Sequence, residues 1–232
     1  NIIKKLFTIT YVTITKISNR LMDICMSINI KKATLQDVPF LAEMVLQSSR
    51  GGKNIGLFDL VFPTHNTNEN LLLLEKLLTT TTVHKVHFSN FLIAEIDGKN
   101  VGSLCSYEPR IATKEALLKA FDEISINATD SEAMRVVELC GFEINNKILF
   151  FDYMKEIDGF IDVGILKAIK QKSLLTARLK GYRIVQTIVE AGSLETLMYY
   201  KKLGFKESEH SECEEYKELF GRTGLLLLSM EF

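Results

Sequence analysis

Apolar and polar positions alternate from Ile28 to Ala33 as they do in a half-buried strand. Thr34-Leu35-Gln36-Asp37 then offers a helix cap ahead of a run carrying Val38, Leu41, Met44 and Val45 at helical spacing. That helix is expected to stop at Arg50-Gly51-Gly52, because glycine accepts the left-handed conformation of a helix end. A second helical stretch, Asn68 to Thr79, follows a turn at Pro63. Phe91 to Ile96 and Val101 to Tyr107 read as strands separated by Asp97-Gly98-Lys99-Asn100, and Asp-Gly is a strong hairpin signal. The segment from Lys114 to Asn145 has a helical pattern, with Ala116, Leu117, Leu118, Phe121, Met134, Val137 and Leu139 as its apolar positions, and reads as an insertion between strands.

The second half repeats strand and helix in turn. Ile148 to Met154 is a buried strand, Ile165 to Lys180 an amphipathic helix closed by Gly181, and Tyr182 to Val189 a further strand. This order makes a crossover unit, so those two strands are expected to be parallel. Ser193 to Leu203 is a short helix ended by Gly204, a strand resumes at Phe205, and Gly224 to Phe232 is a closing apolar strand. The fold class is therefore α/β, a mixed central sheet flanked by helices, with no internal repeat.

Composition narrows the function more than the fold. The chain has 232 residues, 47% of them hydrophobic and 25% charged, enough to bury a core without staples. Its formal net charge is -1, and no run of Lys or Arg marks a surface for nucleic acid or an anionic membrane, so neither partner is expected. The cysteines Cys25, Cys105, Cys140 and Cys213 are widely spaced and match no zinc pattern. They are expected to be free thiols in a reducing cytoplasm, with Cys105 packed in the core.

His84 and His87 have no carboxylate or Cys partner of recognisable pattern, so they read as solvated, and no metal is assigned. The acidic stretch Glu207, Glu209, Glu212, Glu214 and Glu215 reads as a solvated loop or edge. Residues 1–25 hold an apolar run, Leu6 to Ile14, too short to span a bilayer and without a small-residue cleavage site. They are read as an extension to a single domain covering residues 26–232, with a helical insertion at about 108–146.

The segment Ser193-Leu-Glu-Thr-Leu-Met-Tyr-Tyr-Lys-Lys-Leu-Gly-Phe205 carries the most specific resemblance. It is similar to the late motif of the Gcn5-related N-acetyltransferases, Asn-x-x-Ala-x-x-Leu-Tyr-x-Lys-x-Gly-Phe. Tyr200, Lys202, Leu203, Gly204 and Phe205 match in register, with Ser193 in place of Asn and Thr196 in place of Ala. The hairpin from Leu92 to Ser103 and the opening from Ile30 to Asp37 also resemble that family's first three strands and first helix cap, so the likeness covers most of 28–232.

The phosphate loop departs from the pattern. Where the family has Gln/Arg-x-x-Gly-x-Gly/Ala, this chain has Ile161-Asp162-Val163-Gly164-Ile165-Leu166, and Gly164 alone matches. Such a loop works through unpaired backbone N–H groups and the positive end of a helix, which survive side-chain changes. Asp162 is less favourable, since a carboxylate near two phosphates repels them by roughly 1 kcal/mol or more.

The resemblance implies an acyl-CoA N-acyltransferase fold, acetyl-CoA or another acyl-CoA as co-substrate, and transfer to a primary amine on a small molecule, peptide or protein. It implies Tyr200 as the acid that protonates the departing thiolate, and Met154, Val163, Gly164, Ile165, Leu166, Ser193 and Tyr200 as residues against the cofactor. Asp152 and Glu156, on and at the end of the fourth strand, are the candidate bases; each could equally be a surface or capping carboxylate. The degenerate loop motivates a second reading, a non-catalytic acyl-CoA-binding or regulatory domain of the same architecture. No motif marks the acceptor or sets the oligomeric state.

Overall fold

The computed structural model describes residues 28–145, 147–160 and 164–232. The extension at 1–25 and the loop residues Ile161, Asp162 and Val163 lie outside the described residues. Seven strands form one sheet: β1 (Asn29–Lys32), β2 (Phe91–Ile96), β3 (Lys99–Tyr107), β4 (Leu149–Glu156), β5 (Ile184–Glu190), β6 (Lys206–Glu212) and β7 (Gly224–Glu231). They lie in the order β1-β2-β3-β4-β5-β7-β6. Neighbours pair antiparallel except β4 and β5, which are parallel as the crossover pattern predicts.

Helices cover both faces. On one, called the front, pack α1 (Val38–Arg50), α2 (Leu57–Val61), α3 (Thr67–Leu78), α4 (Lys114–Glu123), α5 (Glu132–Leu139) and α8 (Glu214–Phe220). On the back lie α6 (Ile165–Leu179) and α7 (Leu194–Lys202). The front core joins Leu41 and Val45 of α1 to Phe91, Ile93 and Cys105 of the sheet, whereas the back core joins Ile165 and Ile169 of α6 to Leu104, Phe151 and Val185. Gly102 on β3 lets α6 approach closely, because a Cβ there would meet Ile165 Cγ2 at 2.8 Å.

Local chemistry explains the element ends. Thr34 and Asp37 make a reciprocal capping box in which the Thr34 N–H donates to Asp37 Oδ2 at 2.9 Å. Pro39 sits in the first turn of α1, where a missing N–H costs nothing, and Gly51 closes that helix with φ +56°. Asn66 caps α3 by accepting from the Asn68 and Glu69 N–H groups. Asp59 then binds the front helices together: it accepts from Arg50 Nε at 2.9 Å and Nη2 at 2.7 Å, from the Gly56 N–H and from the Asn70 amide.

Several expectations change. The short helices α2 and α8 lie in segments with no legible helical period. The histidines are buried rather than solvated: His84 is 0% exposed, its Nε2–H donates to the Leu77 carbonyl at 3.0 Å, and its Nδ1 accepts from the Val86 N–H. Cys140 and Cys213 are not free thiols; they form a disulfide with Cα atoms 5.7 Å apart, joining the end of α5 to the start of α8. Cys105 is the buried free thiol among the described residues, as expected of a core cysteine. The acidic run is the exposed edge strand β6 and the first turn of α8. No helix among the described residues is long and apolar enough to cross a membrane.

Candidate active site

The site begins where the sheet stops pairing. β4 and β5 are bonded at Leu149↔Val185 and Phe150↔Gln186 and then part, although β4 runs on to Glu156 and β5 to Glu190. The cause lies in β4. From Ser103↔Lys155 to Cys105↔Asp152 two steps on β3 match three on β4, so β4 carries an extra residue, and Tyr153 holds φ +46°. A bulge of this kind bends its strand and re-aims the side chains beside it.

The bulge sorts the predicted carboxylates onto opposite faces. Asp152 stands across from Cys105 of the front core, and Tyr153 also joins that core. Met154 is back on the α6 side, buried at 7% exposure. Glu156 stands across from Gly102, whose face meets Ile165 of α6, so this buried carboxylate belongs to the back. Asp152 and Glu156 are therefore not a pair.

Asp152 is half-buried where the strands part, and its Oδ1 accepts from the Tyr153 N–H at 2.9 Å. Burial raises its carboxyl above the usual range, opposed by the positive charge of Lys85 and by that backbone hydrogen bond. The phenols of Tyr107 and Tyr153 are raised in turn by burial and then by the negative charge of Asp152. This setting favours the protonated form of Asp152 more than water does, with two phenols and a lysine close enough to interact with it.

On the back, Gly164 caps α6 with φ +87° and open space around its missing Cβ. The first intrahelical bond there is the Ala168 N–H to the Gly164 carbonyl at 3.0 Å, so the N–H groups of Ile165, Leu166 and Lys167 precede the ladder. The Ile165 and Leu166 side chains are buried in the back core at 0% and 4% exposure, which turns them away from the space a phosphate would need. No acidic residue lies in the first turn of α6, and Lys167 is exposed there. Backbone donors, a helix dipole and a lysine together fit an anion such as a pyrophosphate.

Tyr200 on α7 is 7% exposed and packs edge-on against Phe205 at 5.4 Å and Tyr199 at 6.2 Å. Burial, then the charge of Asp152, raises its phenol well above the ordinary value, while the nearby Thr187 hydroxyl pulls the other way. Thr187 Oγ1 is buried near that phenol, but no contact it makes among the described residues has full hydrogen-bond geometry. Ser193 and Thr196, the two departures from the late motif, compensate each other: the Ser193 hydroxyl donates to Thr196 Oγ1 at 2.8 Å. Lys170 crosses from α6 to donate to the Leu203 carbonyl at 2.5 Å, which fixes the C-terminal end of α7.

Sequence reasoning missed the front wall. Glu190, at the far end of the parting, accepts from Lys53 Nζ at 2.5 Å and the Tyr216 hydroxyl at 3.0 Å, and faces Arg222 Nε at 3.6 Å. These contacts tie the loop after α1 and helix α8 to β5. A cavity of about 950 Å³ opens between α4, α5 and the sheet, reaching Lys85, Tyr107 and Ile188. Ile188 is the residue that would stand opposite Asp152 if β4 and β5 continued in register.

The sequence matches no protein-family model and no curated protein. The structure does match solved ones. It resembles an acetyltransferase with TM-score 0.60 at 17% identity over 88% of this chain and 98% of that one. It also resembles an N-acetyltransferase from Staphylococcus aureus Mu50, with TM-score 0.62 at 15% identity over 87% and 100%. A third likeness is PaiA N-acetyltransferase from Thermoplasma acidophilum in complex with coenzyme A, with TM-score 0.52 at 14% identity over 89% and 100%. At such identities the likeness speaks to architecture: the chain has the fold of the Gcn5-related acetyltransferases.

Proposed function

We propose that this protein is an acyl-CoA-dependent N-acyltransferase that moves an acetyl group from acetyl-CoA to a primary amine. The observation that carries the reading is the parting of β4 and β5, with the Gly164 start of α6, which has no side-chain cap bond, behind it and Asp152 in front. The cofactor's pyrophosphate would rest on the N–H groups of Ile165, Leu166 and Lys167 beside Gly164, and its pantetheine arm would run past Met154 into the gap. The amine would enter from the front.

Asp152 takes the proton of the amine, directly or through a water, as the nitrogen attacks the thioester carbonyl. The carbon–sulfur bond breaks, and the departing thiolate receives a proton from Tyr200. Burial keeps the Tyr200 phenol in the protonated form that a donor needs, although it also makes that phenol a weaker acid. Glu156, buried on the α6 side, is better placed to hold the loop side of β4 than to meet an amine at the front.

Calorimetry with acetyl-CoA and with coenzyme A tests the reading, paired with Tyr200→Phe. The expected result is micromolar binding by both proteins and a turnover lowered about 10- to 100-fold in the variant. Binding with no turnover on any amine would favour the non-catalytic domain, and no binding at millimolar ligand would sink both readings.

A further inference from the structure

The cavity beneath the helical insertion is built for a particular kind of amine. Its apolar walls are Leu118, Met134, Val137, Phe142, Ile144 and Ile188, with polar and charged residues of α4, α5 and their connection also lining it, and its volume of about 950 Å³ is at the upper end of the range of small-molecule sites. At the sheet end it reaches Tyr107, Lys85 and Ile188, the last of which would stand opposite Asp152 across the parted strands, and Lys85 and Tyr107 interact with Asp152 through its charge. Four carboxylates lie along it. Glu138 pairs with Lys114, Glu132 lies 3.6 Å from Arg135, Asp130 accepts from the Asn127 amide at 2.7 Å, and Glu115 lies in the first turn of α4. All four are exposed at the rim, so a second ammonium group drawn into the apolar interior would meet no buried counter-charge.

Resting on the transferase reading above, we infer that the acceptor is a small primary amine on an apolar chain or ring, its body in this cavity and its nitrogen at Asp152. Two physical effects favour that choice. Burying a distal charge among Met134, Phe142 and Ile144 without a partner costs several kcal/mol, whereas burying methylene groups gains about 0.8 kcal/mol each. The Lys85 charge and the apolar walls also disfavour an ammonium ion, so the bound amine loses its proton more readily and becomes the nucleophile. In the transfer, the amine nitrogen forms the new C–N bond and gives its proton to Asp152, the thioester C–S bond breaks, and coenzyme A leaves as the thiol with the proton from Tyr200.

The test compares hexylamine and phenylethylamine with 1,6-diaminohexane, which keeps the chain and adds one distal charge. The full chain is used, alongside Met134→Gln and Leu118→Gln, both at half-buried positions where a polar side chain leaves the core intact. The expected result is a kcat/KM at least ten-fold higher for hexylamine than for the diamine. Each variant should raise KM for hexylamine several-fold and leave acetyl-CoA affinity unchanged. A diamine used as well as hexylamine, or variants with an unaltered KM, would overturn the inference.

Acetyl-CoA calorimetry on the same sample separates the two levels. If the cofactor binds and neither apolar amine is acetylated, the acceptor assignment falls while cofactor binding stands. If the cofactor does not bind, the transferase reading falls, and hexylamine titrated alone against the Met134 methyl resonance decides the cavity: a saturable shift keeps it as an apolar-amine site, and no shift removes it.

Discussion

Strand β5 has two edges that behave differently. Against β7 it is paired along its whole length, from Ile184↔Glu231 to Glu190↔Leu225, while against β4 it is bonded at Leu149↔Val185 and Phe150↔Gln186 alone. The β7 edge has no bulge in its register and is flanked by Leu225, Leu226, Leu227 and Leu228, all buried. The β4 edge faces a strand bent at Tyr153, so its backbone groups past Gln186 are not used by a ladder. One edge stabilises the sheet and the other leaves an opening through it. In the proposed reaction the opening would give a nucleophile in front and a cofactor behind access to each other, which a fully paired sheet would prevent.

The sharpest way to break that contrast is to remove the group at the opening. Asp152→Asn keeps the shape and the hydrogen bond from the Tyr153 N–H but cannot accept a proton from the amine. Turnover is expected to fall about 100-fold or more, with acetyl-CoA affinity unchanged in calorimetry. An unchanged turnover would assign the base elsewhere. If Glu156→Gln were the variant that lost turnover, the face assignment drawn from the bulge would be wrong.

The next effect concerns the front wall, where Lys85 rides on a loop fixed by His84. Burial is the main reason the His84 imidazole is lowered to about 4, since protonating Nδ1 would also break its bond from the Val86 N–H. Because the unfolded chain binds that proton near pH 6.5, stability is complete above 6.5 and is lost as the pH falls toward 4. The expected loss is on the order of 3 kcal/mol. His87 is lowered as well and acts in the same sense. Denaturant melts at pH 7.5 and 5.0 should show the loss in the parent protein and a smaller one in His84→Gln; equal losses would remove His84 as the cause. Asp37 and Glu108, each lowered to about 2 by hydrogen-bond partners against an opposing burial effect, keep their contributions until lower pH.

The smallest effect probes the back. Gly164→Ala forces a side chain into φ +87°, which costs about 1–2 kcal/mol in strain or shifts the start of α6. Acetyl-CoA affinity should fall about 5- to 30-fold, while the affinity of an acceptor amine measured alone stays the same. Equal loss on both faces would mean that the helix start supports the whole opening rather than the cofactor side.

Much of the back half of the site was legible in the sequence because its signals are local. The cap at Gly164, the spacing from Tyr200 to Phe205 and the strand-helix-strand order each depend on neighbours a few residues apart. Lys167 could have been found by the same reasoning, as the first lysine after the helix start. The front was not legible. Lys85, Tyr107 and Ile188 come from three separate elements, and no spacing in the chain reports that they line one cavity. The burial of His84 and the Cys140–Cys213 bond, 73 residues apart in sequence, likewise depend on which distant surfaces come together.

The sequence by itself determined the element order, the parallel crossover and the hairpin, because periodicity and turn chemistry act within a few residues. Tertiary structure alone decided that Asp152 and Glu156 lie on opposite faces. One extra residue in β4 reverses the side-chain alternation that a regular strand would keep, and the mismatch with β3 that makes it a bulge exists only when the two strands are paired.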